Sequence, residues 1–261
     1  MEGKIVRNQK LNDKYYLLEI KCEEFVREAK VGQFVMINTR HQDYTSDPLL
    51  RRPLGVADVN GDRFTLVYMV VGKGTMLLSE MKKDAVVSFS SPQGSTFSMV
   101  EKQRTALLAG GIGIAPVYWL AKALKDRGCV VDLYYGGRTV DDVVLLEELK
   151  ENTDHLIVTT DDGSAGIKGL VVAPFEENIA SYDIVYACGP KGMLRAVSNI
   201  CVKHELPVEV SLDERMACGL GACLGCIIYL KEGDSVVQKR CCVEGPVFDG
   251  SKVVWDTVCQ G

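Results

Sequence analysis

Residues 105–116 read Thr105-Ala-Leu-Leu-Ala-Gly110-Gly111-Ile112-Gly113-Ile114-Ala115-Pro116, an apolar run followed by three closely spaced glycines. The apolar run has the length and composition of a buried β-strand. The glycines permit a tight turn, and Pro116 suits the first turn of a helix. Such a turn predicts an anion site at the helix N-terminus. Because Pro116 replaces the last glycine of G-x-G-x-x-G, a plain strand–helix turn is the alternative.

Outward from this turn, strand-like and helix-like runs alternate through residues 101–212. The strand-like runs are 105–109, 130–135, 155–160, 183–187 and 208–212, and the helix-like runs are 114–127, 143–151, 170–178 and 190–204. Five strands joined by four helices predict a doubly wound parallel sheet. Cys188-Gly189-Pro190 follows the fourth strand, at the edge where such sheets bind ligands. The alternative for Cys188 is a small buried side chain.

Residues 1–100 show a different pattern, with many short strands separated by turn signals. The candidate strands are 4–8, 15–22, 33–39, 53–59, 64–70 and 85–90, with one helix over 75–83. This spacing predicts an antiparallel β-barrel. Arg52-Pro53-Leu54 begins a strand, and Arg52 suits a phosphate, with a surface arginine as the alternative. Gly74-Thr75 opens the helix, either as a phosphate site or as a simple cap.

Composition excludes several classes of protein. The chain has 261 residues and a net charge of −5, which gives no electrostatic reason to expect nucleic acid or an anionic membrane as partner. Its apolar runs fall short of the roughly 18 residues of a membrane helix. The N-terminus lacks the pattern of a signal peptide, so we expect a cytoplasmic protein. Its ten cysteines, one of them Cys259, are then not expected to form a disulfide framework.

The strongest motif lies in residues 213–261, which read Cys218-Gly-Leu-Gly-Ala-Cys223-Leu-Gly-Cys226 near the start. This C-x4-C-x2-C spacing is typical of a plant-type [2Fe–2S] site, and the glycines let the backbone wrap around the sulfurs. Cys241 and Cys242 both follow as candidates for the fourth thiolate. Structural zinc and free thiols are the alternatives, although zinc sites usually present two C-x2-C pairs.

Taken together, these motifs resemble the ferredoxin–NADP reductase-like superfamily. Within it, the chain is similar from end to end to the family of electron-transfer subunits of NAD-dependent dihydroorotate dehydrogenase (PyrK family). The most specific likeness is Ser211-Leu-Asp-Glu-Arg-Met-Ala-Cys218 through Cys226, with Gly245-Pro246 after the last cysteines. The resemblance implies an FAD-binding barrel over 1–100, an NAD-binding α/β domain over 101–212 and a [2Fe–2S] segment over 213–261.

The resemblance also implies site residues and a partner. The FAD contacts it implies are Arg52, Pro53, Leu54, Gly55, Val67, Tyr68, Met69, Gly74 and Thr75. The NAD contacts are Gly110, Gly111, Gly113, Pro116, Cys188, Gly189 and Pro190, and no general acid or base is expected. The partner would be an FMN-containing catalytic subunit that oxidises dihydroorotate, with two copies of each chain in the assembly.

Two positions depart from the family pattern, and the identity of the fourth cluster ligand is a choice between two cysteines. The family usually has Ser at the position of Gly55 and often Arg at that of Met69. The distance to Gly245-Pro246 favours Cys242 as the fourth ligand, whereas the gap from Cys226 favours Cys241; we expect Cys242.

Several other functions compete with this one. A sister subunit of a hydrogenase, a sulfide dehydrogenase or an NADH–ferredoxin transhydrogenase is the main alternative. A self-contained oxygenase reductase and a non-catalytic zinc- and nucleotide-binding regulator are less favoured.

Overall fold

The N-terminal part of the chain folds into a six-stranded antiparallel barrel. The structure, a computed structural model, describes residues 1–40 and 47–257. The barrel strands are β1 (Glu2–Lys10), β2 (Tyr15–Lys21), β3 (Phe34–Ile37), β4 (Arg52–Asn60), β5 (Arg63–Met69) and β6 (Val86–Ser88). They pair in the order β3-β4-β5-β2-β1-β6. A bridge between Ile37 and Phe89 brings the two ends together and nearly closes the barrel.

Three aromatic rings fill one end of the barrel. Phe25 stacks on Phe64 with ring centroids 4.0 Å apart, and Phe89 packs edge-on against both. Phe25 comes from α1 (Glu23–Glu28), a helix that the sequence analysis did not predict. Only Phe25 of its six residues is buried, so the sequence has no apolar periodicity that would predict a helix here. The second helix of the barrel, α2 (Lys73–Glu80), lies close to the predicted 75–83.

The second part of the chain is the predicted parallel sheet. Its strands are β7 (Arg104–Gly110), β8 (Val130–Gly137), β9 (His155–Thr160), β10 (Ile167–Lys168), β11 (Ile184–Cys188) and β12 (Val208–Ser211). Its helices are α3 (Ile114–Lys125), α4 (Leu146–Glu151), α5 (Val172–Glu177) and α6 (Lys191–Lys203). The prediction started α4 three residues early, because Val143 and Val144 are buried before Leu145 takes a positive φ of 62°.

Strand order creates the position for a ligand. The parallel strands run β10-β9-β8-β7-β11-β12, so the order reverses between β7 and β11. At such a switch point the loops after the two strands diverge to opposite faces and leave a crevice. The Gly110–Gly113 turn follows β7, and Gly189-Pro190 follows β11, so both glycine-containing motifs meet at this crevice.

The C-terminal part packs against the parallel sheet. The cysteine loop, residues 218–226, leads into a hairpin, β13 (Ile227–Glu232) and β14 (Ser235–Arg240). The chain then returns as β15 (Val247–Asp249), which pairs antiparallel with β12. Cys226, Cys241 and Cys242 are buried in one hydrophobic core with residues of β11 and β12.

The barrel and the parallel sheet contact each other beside the crevice. Pro116 lies 3.4 Å from the position that a Gly55 Cβ would take, and Lys122 of α3 pairs with Asp58 of β4 at 3.2 Å. Within residues 1–40 and 47–257, no helix is both long and apolar enough to cross a membrane.

Candidate functional site

One large cleft separates the barrel from the carboxyl edge of the parallel sheet. Its volume is about 1390 Å³. The residues that line it include the following members of the predicted set: Arg52, Pro53, Leu54, Gly55, Val67, Tyr68, Met69, Thr75, Gly110, Gly111, Gly113, Pro116, Cys188, Gly189 and Pro190. Both predicted nucleotide sites therefore open into one continuous space. Gly74 is the predicted cofactor residue that does not line the cleft.

The two glycine-containing turns pack backbone against backbone. A Cβ on Gly113 would lie 2.2 Å from the carbonyl oxygen of Cys188, and a Cβ on Gly110 would lie 2.6 Å from Pro190 Cδ. Gly113 thus provides the close helix–strand approach that the last glycine of G-x-G-x-x-G usually provides. The replacement by Pro116 does not weaken the turn, because Pro116 serves a different contact, the one with Gly55.

Arg52 packs on the first turn of α2. Arg52 Nε is 2.6 Å from the position of a Gly74 Cβ, so a side chain at residue 74 would displace the guanidinium group. Arg52 Nη1 donates to the Leu50 carbonyl at 2.6 Å, which orients the group. A cationic fork beside a helix N-terminus suits a phosphate or pyrophosphate. Gly74 therefore acts beneath Arg52 rather than in the cleft itself.

Thr75 shapes the same loop. Its hydroxyl accepts hydrogen bonds from the backbone N–H groups of Val71 and Gly72, at 2.9 and 3.3 Å, and donates to the Gly72 carbonyl. These contacts cap α2 and hold its N-terminus open toward the cleft. The cap alternative for Thr75 is confirmed, and Thr75 also lines the cleft, while its predicted contact with FAD stays a prediction.

The barrel wall of the cleft is largely apolar and aromatic. Tyr15 of β2 pairs with Met69 of β5, and both line the cleft. Burial, with a contribution from Asp142, raises the pKa of Tyr15 to about 12. Tyr68 donates from its hydroxyl to Asn8 Oδ1 at 3.0 Å. These uncharged, well-anchored rings suit a planar ligand such as a flavin. Tyr15 was missed because it has no motif of its own.

Cys188 sits at the base of the cleft as a neutral thiol. Burial raises its pKa to about 12, which favours the neutral thiol at pH 7. Cys188 is thus a small buried side chain, as the alternative had it, and it also lines the cleft. Nearby, Asp213 lines the cleft and burial raises its pKa, while Glu214 pairs with Lys191 at 2.9 Å.

The sulfurs of Cys218, Cys223, Cys226 and Cys242 lie near one another. Cys218 interacts with Cys223, and Cys226 interacts with Cys242. The Leu220 N–H donates to Cys218 Sγ at 3.3 Å, and this bond is the main cause that lowers the Cys218 pKa to about 6. The Gly225 N–H lies 3.5 Å from Cys223 Sγ. Backbone donors around thiolates are what a [2Fe–2S] cluster needs.

Cys241 and Cys242 differ in direction. Cys242 donates its backbone N–H to Cys226 Sγ at 3.4 Å, and its thiol lies near Cys218 and Cys226. The Cys241 thiol instead donates to the Leu212 carbonyl at 3.2 Å. Cys242 therefore lies with the three motif cysteines.

Four thiols with backbone N–H groups around them have the chemistry that a [2Fe–2S] cluster requires. Among the residues that the structure describes, no three His, Cys, Asp or Glu side chains converge as a single-ion site requires. Cys259 lies outside the described residues.

Three charged residues at the far end of the cleft were also missed. Arg138 follows β8, Asp142 lies four residues later and Asp161 follows β9; all three line the cleft. Their signal in the sequence was the position after a strand, where parallel sheets bind ligands.

Two family models match this chain, one over the cysteine-containing segment and one over the parallel-sheet domain. A family model described as the iron-sulfur cluster binding domain of dihydroorotate dehydrogenase B matches residues 213–254. A model described as the oxidoreductase NAD-binding domain matches residues 107–199.

Similar proteins extend over almost the whole chain. The dihydroorotate dehydrogenase B (NAD(+)) electron transfer subunit of Caldanaerobacter subterraneus subsp. tengcongensis is 36% identical over 255 residues, covering 98% of each chain. The subunit of the same name from Clostridium acetobutylicum is 37% identical over 252 residues, covering 96% of each.

Solved structures support the fold. A chain from the structure of an NADH-dependent reduced ferredoxin-NADP oxidoreductase, described for flavin-based electron bifurcation, is 34% identical, with a TM-score of 0.85 over 98% of this chain and 91% of that one. A ferredoxin reductase of carbazole 1,9a-dioxygenase, 20% identical with a TM-score of 0.65 over 80% of this chain and 68% of that one, shares the fold. This protein belongs to the family of electron transfer subunits of dihydroorotate dehydrogenase B (NAD(+)).

Proposed function

We propose that the chain passes electrons from a dihydroorotate-oxidising subunit to NAD+, by way of a [2Fe–2S] cluster and an FAD that it holds. Such cofactors are needed because NAD+ accepts a hydride whereas a cluster transfers single electrons, and a flavin can do both. The observation that carries the proposal is the continuous cleft. It brings the Arg52–Gly55 wall of the barrel against the Gly110–Gly113 turn, with the cysteine loop packed behind the same sheet.

In this proposal the residues form three sets, one for each cofactor. The flavin set is Arg52, Pro53, Leu54, Gly55, Val67, Tyr68, Met69, Gly74 and Thr75, with Arg52 and the N-terminus of α2 on the phosphates. The NAD set is Gly110, Gly111, Gly113, Pro116, Cys188, Gly189 and Pro190, whose backbones make the floor. The cluster set is Cys218, Cys223, Cys226 and Cys242.

Cys242 is the fourth ligand in this proposal because of the direction of its side chain. Its thiol shares the space of Cys226 and Cys218, whereas the Cys241 thiol is engaged by the Leu212 carbonyl 3.2 Å away. Cys241 then ties the cysteine loop to residue 212, where β12 ends and the cleft wall begins.

The departures at Gly55 and Met69 change the wall beside the flavin. Pro116 is 3.4 Å from a Gly55 Cβ, an ordinary contact distance, so Gly55 is not required for packing. A flavin bound here would lack the hydroxyl neighbour at residue 55 and the charge at residue 69 that the resemblance implies for other members of the family. We expect its potential or affinity to differ from that of relatives with Ser and Arg at these positions.

The partner is, in this proposal, an FMN-containing catalytic subunit, in an assembly of two copies of each chain. Leu220 and Leu224 beside the motif cysteines are 73% and 58% exposed, and Val243 is 44% exposed. Apolar side chains gathered around a redox centre suit a protein interface. The cytoplasm fits the chemistry of the site, because cluster thiolates persist in a reducing compartment.

The domain limits proposed are 1–100, 101–212 and 213–261. The change from antiparallel to parallel pairing between β6 and β7 supports the first limit, and the end of β12 at Ser211 supports the second.

The test is to tag the chain and purify it anaerobically with its native partner. Dihydroorotate-dependent reduction of NAD+, with orotate and NADH formed together, is the expected result. A complex that carries FAD and cluster and is reduced by NADH, but does not turn over dihydroorotate, would keep the electron-transfer module and move the function to a sister complex.

A second candidate is a subunit of an NADH-dependent reduced ferredoxin-NADP oxidoreductase. It is favoured by the neighbour with that description, which is 34% identical with a TM-score of 0.85. Ferredoxin-coupled turnover by the purified complex would favour this candidate.

A further inference from the structure

The proposed function leaves one proton without a source. Hydride transfer between NADH and FAD needs no separate proton, because the hydride carries its hydrogen together with both electrons. Electrons that arrive singly from a cluster bring no hydrogen with them. FAD must then take up one proton for every two electrons (FAD + 2 e⁻ + H⁺ → FADH⁻), and the same proton must leave when electrons flow out singly. A titratable side chain in the cleft wall would meet this need.

The cleft offers carboxyl groups for this role. Among the cleft-lining residues that the structure describes, four are aspartates: Asp142, Asp161, Asp213 and Asp256. Asp142 and Asp256 each form an ion pair with an arginine, at 2.8 and 2.9 Å. Asp161 follows β9, and β8 and β7 separate that strand from β11. Asp213 comes two residues after β12, the strand with which β15 of the C-terminal part pairs.

Asp213 lies where the cysteine loop meets the cleft. The residue before it, Leu212, lines the cleft and is 2% exposed, and its carbonyl accepts the Cys241 thiol at 3.2 Å. Cys241 also donates its backbone N–H to the Cys226 carbonyl at 2.9 Å. Two hydrogen bonds therefore connect the cysteine loop to the residue next to Asp213. A proton from Asp213 would enter the cleft on the same side as electrons from the loop.

The groups around Asp213 favour its protonated form. Burial raises its pKa, the Glu214 carboxylate raises it further, and Lys191 opposes both. Lys191 is also bound by Glu214 at 2.9 Å, so its charge is divided between two carboxyl groups. Cys188 and Cys241, which also face Asp213, are neutral thiols because burial raises the pKa of each. Asp213 is accessible from the cleft, so it can exchange its proton with a ligand there and with water.

We propose that Asp213 is the proton donor for electrons that enter FAD singly: its carboxyl group gives FAD one proton for every two electrons, and water then protonates the carboxylate again. Hydride transfer to NAD+ removes the two electrons and this proton together, and Asp213 accepts the proton when electrons flow out singly. The proposal rests on the proposed function in that it takes the cleft as the FAD site. It replaces the expectation, taken from the resemblance, that no general acid or base acts in this chain.

Asp213→Asn separates the two ways of reducing the flavin. In stopped-flow experiments on the anaerobic holoprotein, NADH should reduce FAD in the variant at the wild-type rate, because the hydride needs no donor. Light-driven reduction by a deazaflavin supplies electrons singly, and here we expect the rate of FAD reduction to fall about 100-fold. In wild type that rate should decrease as pH rises through the pKa of Asp213, and the variant should lack this dependence.

Three further variants test the assignment. Asp213→Glu keeps the carboxyl group and should restore most of the single-electron rate. Asp141→Asn makes the same change at an exposed aspartate that does not line the cleft, and both rates should stay at the wild-type values. Glu214→Gln removes a charge that raises the Asp213 pKa, so the decrease of the single-electron rate should move to lower pH.

Infrared spectroscopy gives a readout that does not depend on turnover. In the oxidised holoprotein, the C=O band of a protonated carboxyl group should persist above the ordinary aspartate pKa of about 3.9. The same band should be absent from Asp213→Asn. Absence of the band in wild type, an unchanged single-electron rate in Asp213→Asn, or equal slowing of both reactions would each overturn the proposal.

The failure of the proposed function would look different. Holoprotein whose FAD is reduced neither by NADH nor, in the complex, by dihydroorotate would contradict that function. The light-driven rate and the infrared band would then still report on Asp213. If Asp213→Asn does not retain flavin and cluster absorption, Glu214→Gln carries the test, and an unshifted pH dependence in that variant would overturn the proposal.

Discussion

The glycine-rich turn at the switch point and the cysteine loop both depend on glycine, but for different reasons. In the turn, Gly113 faces the Cys188 carbonyl, which is backbone that cannot give way. In the loop, Gly221 has a φ of 76° and a Cβ on it would first meet side-chain atoms of Val243 and Arg240. Contacts within the sheet therefore fix the shape of the glycine-rich turn without a ligand. The cysteine loop, with Leu220 and Leu224 exposed, depends more on what it binds.

The largest expected effect removes a ligand from the loop. Cys223→Ser should lower the rate of electron transfer between the partner and NAD+ by about 100-fold or more, because the loss of a metal ligand is among the most severe changes. Reduction of FAD by NADH should survive, because the cleft is built independently. Anaerobic assays of both reactions on the same preparation check this. Retention of full partner activity would contradict a path through the cluster.

Cys241 and Cys242 sharpen the same comparison. Cys242→Ser should lose iron and acid-labile sulfide together, whereas Cys241→Ser should retain both, because its thiol contacts the Leu212 carbonyl instead. The two substitutions are adjacent and chemically identical, so each is the control for the other. The opposite pattern of iron content would show that Cys241 is the ligand.

Gly113→Ala tests the rigid side of the comparison. The new Cβ would collide with the Cys188 carbonyl, so we expect a loss of about 1–3 kcal/mol in the free energy of unfolding. Gly192→Ala is the matched control, because that glycine lies in α6 with no atom within 4 Å of the new Cβ. There the better helix propensity should stabilise by about 0.5–1 kcal/mol. Equal changes in the free energy of unfolding for the two variants, measured by thermal or urea unfolding, would show that the contact with the Cys188 carbonyl is not the cause.

Gly74→Ala should act on the cofactor rather than on the fold. The added methyl group displaces Arg52, and we expect FAD to bind about tenfold more weakly, as for the loss of one charge-assisted hydrogen bond. Gly72→Ala changes the same loop where the new Cβ has no atom within 4 Å. Fluorescence titration of the deflavinated protein measures both. A similar loss in Gly72→Ala would mean that the loop, not Arg52, is responsible.

The smallest effect concerns acid stability of the cysteine loop. Glu244 accepts from the Arg240 guanidinium, which lowers its pKa to about 2, and Arg240 also donates to the Gly221 carbonyl. A lowered carboxyl pKa stabilises the fold above the unfolded value of about 4.3 and stops doing so as pH falls toward 2. Glu244→Gln should therefore cost at most about 1 kcal/mol at pH 7 and nothing near pH 2.

The Lys239–Glu232 pair on the same hairpin provides the comparison for that pH series. Glu232→Gln should shift the urea midpoint by less than Glu244→Gln at pH 7, because Glu232 does not contact the loop. A constant difference between wild type and Glu244→Gln from pH 7 to pH 2 would exclude the carboxylate as the cause.

The parts of the molecule that could be predicted are those with short-range patterns. The six barrel strands and five strands of the parallel sheet lie within a few residues of their predicted positions, since apolar runs and turn residues are local signals, whereas β10 and β15 were not predicted. Arg52 and Gly74 were also predicted as cofactor residues, which stays a prediction, but the contact between them was not, because packing across 22 residues leaves no local pattern. For the same reason α1, the strand pairing of β15 and the charges at Arg138, Asp142 and Asp161 required the structure. Cys242 was preferred to Cys241 because of its distance from Gly245-Pro246, although the gap from Cys226 favoured Cys241. The contacts of the two thiols support this preference, which stays a prediction.

The return of β15 to β12 limits how this chain can be rearranged. Ser211 pairs with Val247, and Ser95, which precedes the parallel sheet, accepts the Val247 N–H and donates to its carbonyl, both at 3.0 Å. A truncation after residue 212 would strip β12 of its neighbour and expose a bare sheet edge, which invites aggregation. A cluster-free reductase is therefore better obtained by substituting the cysteines than by cutting the chain, and gene fusions should be made at the termini rather than at the boundary near residue 212.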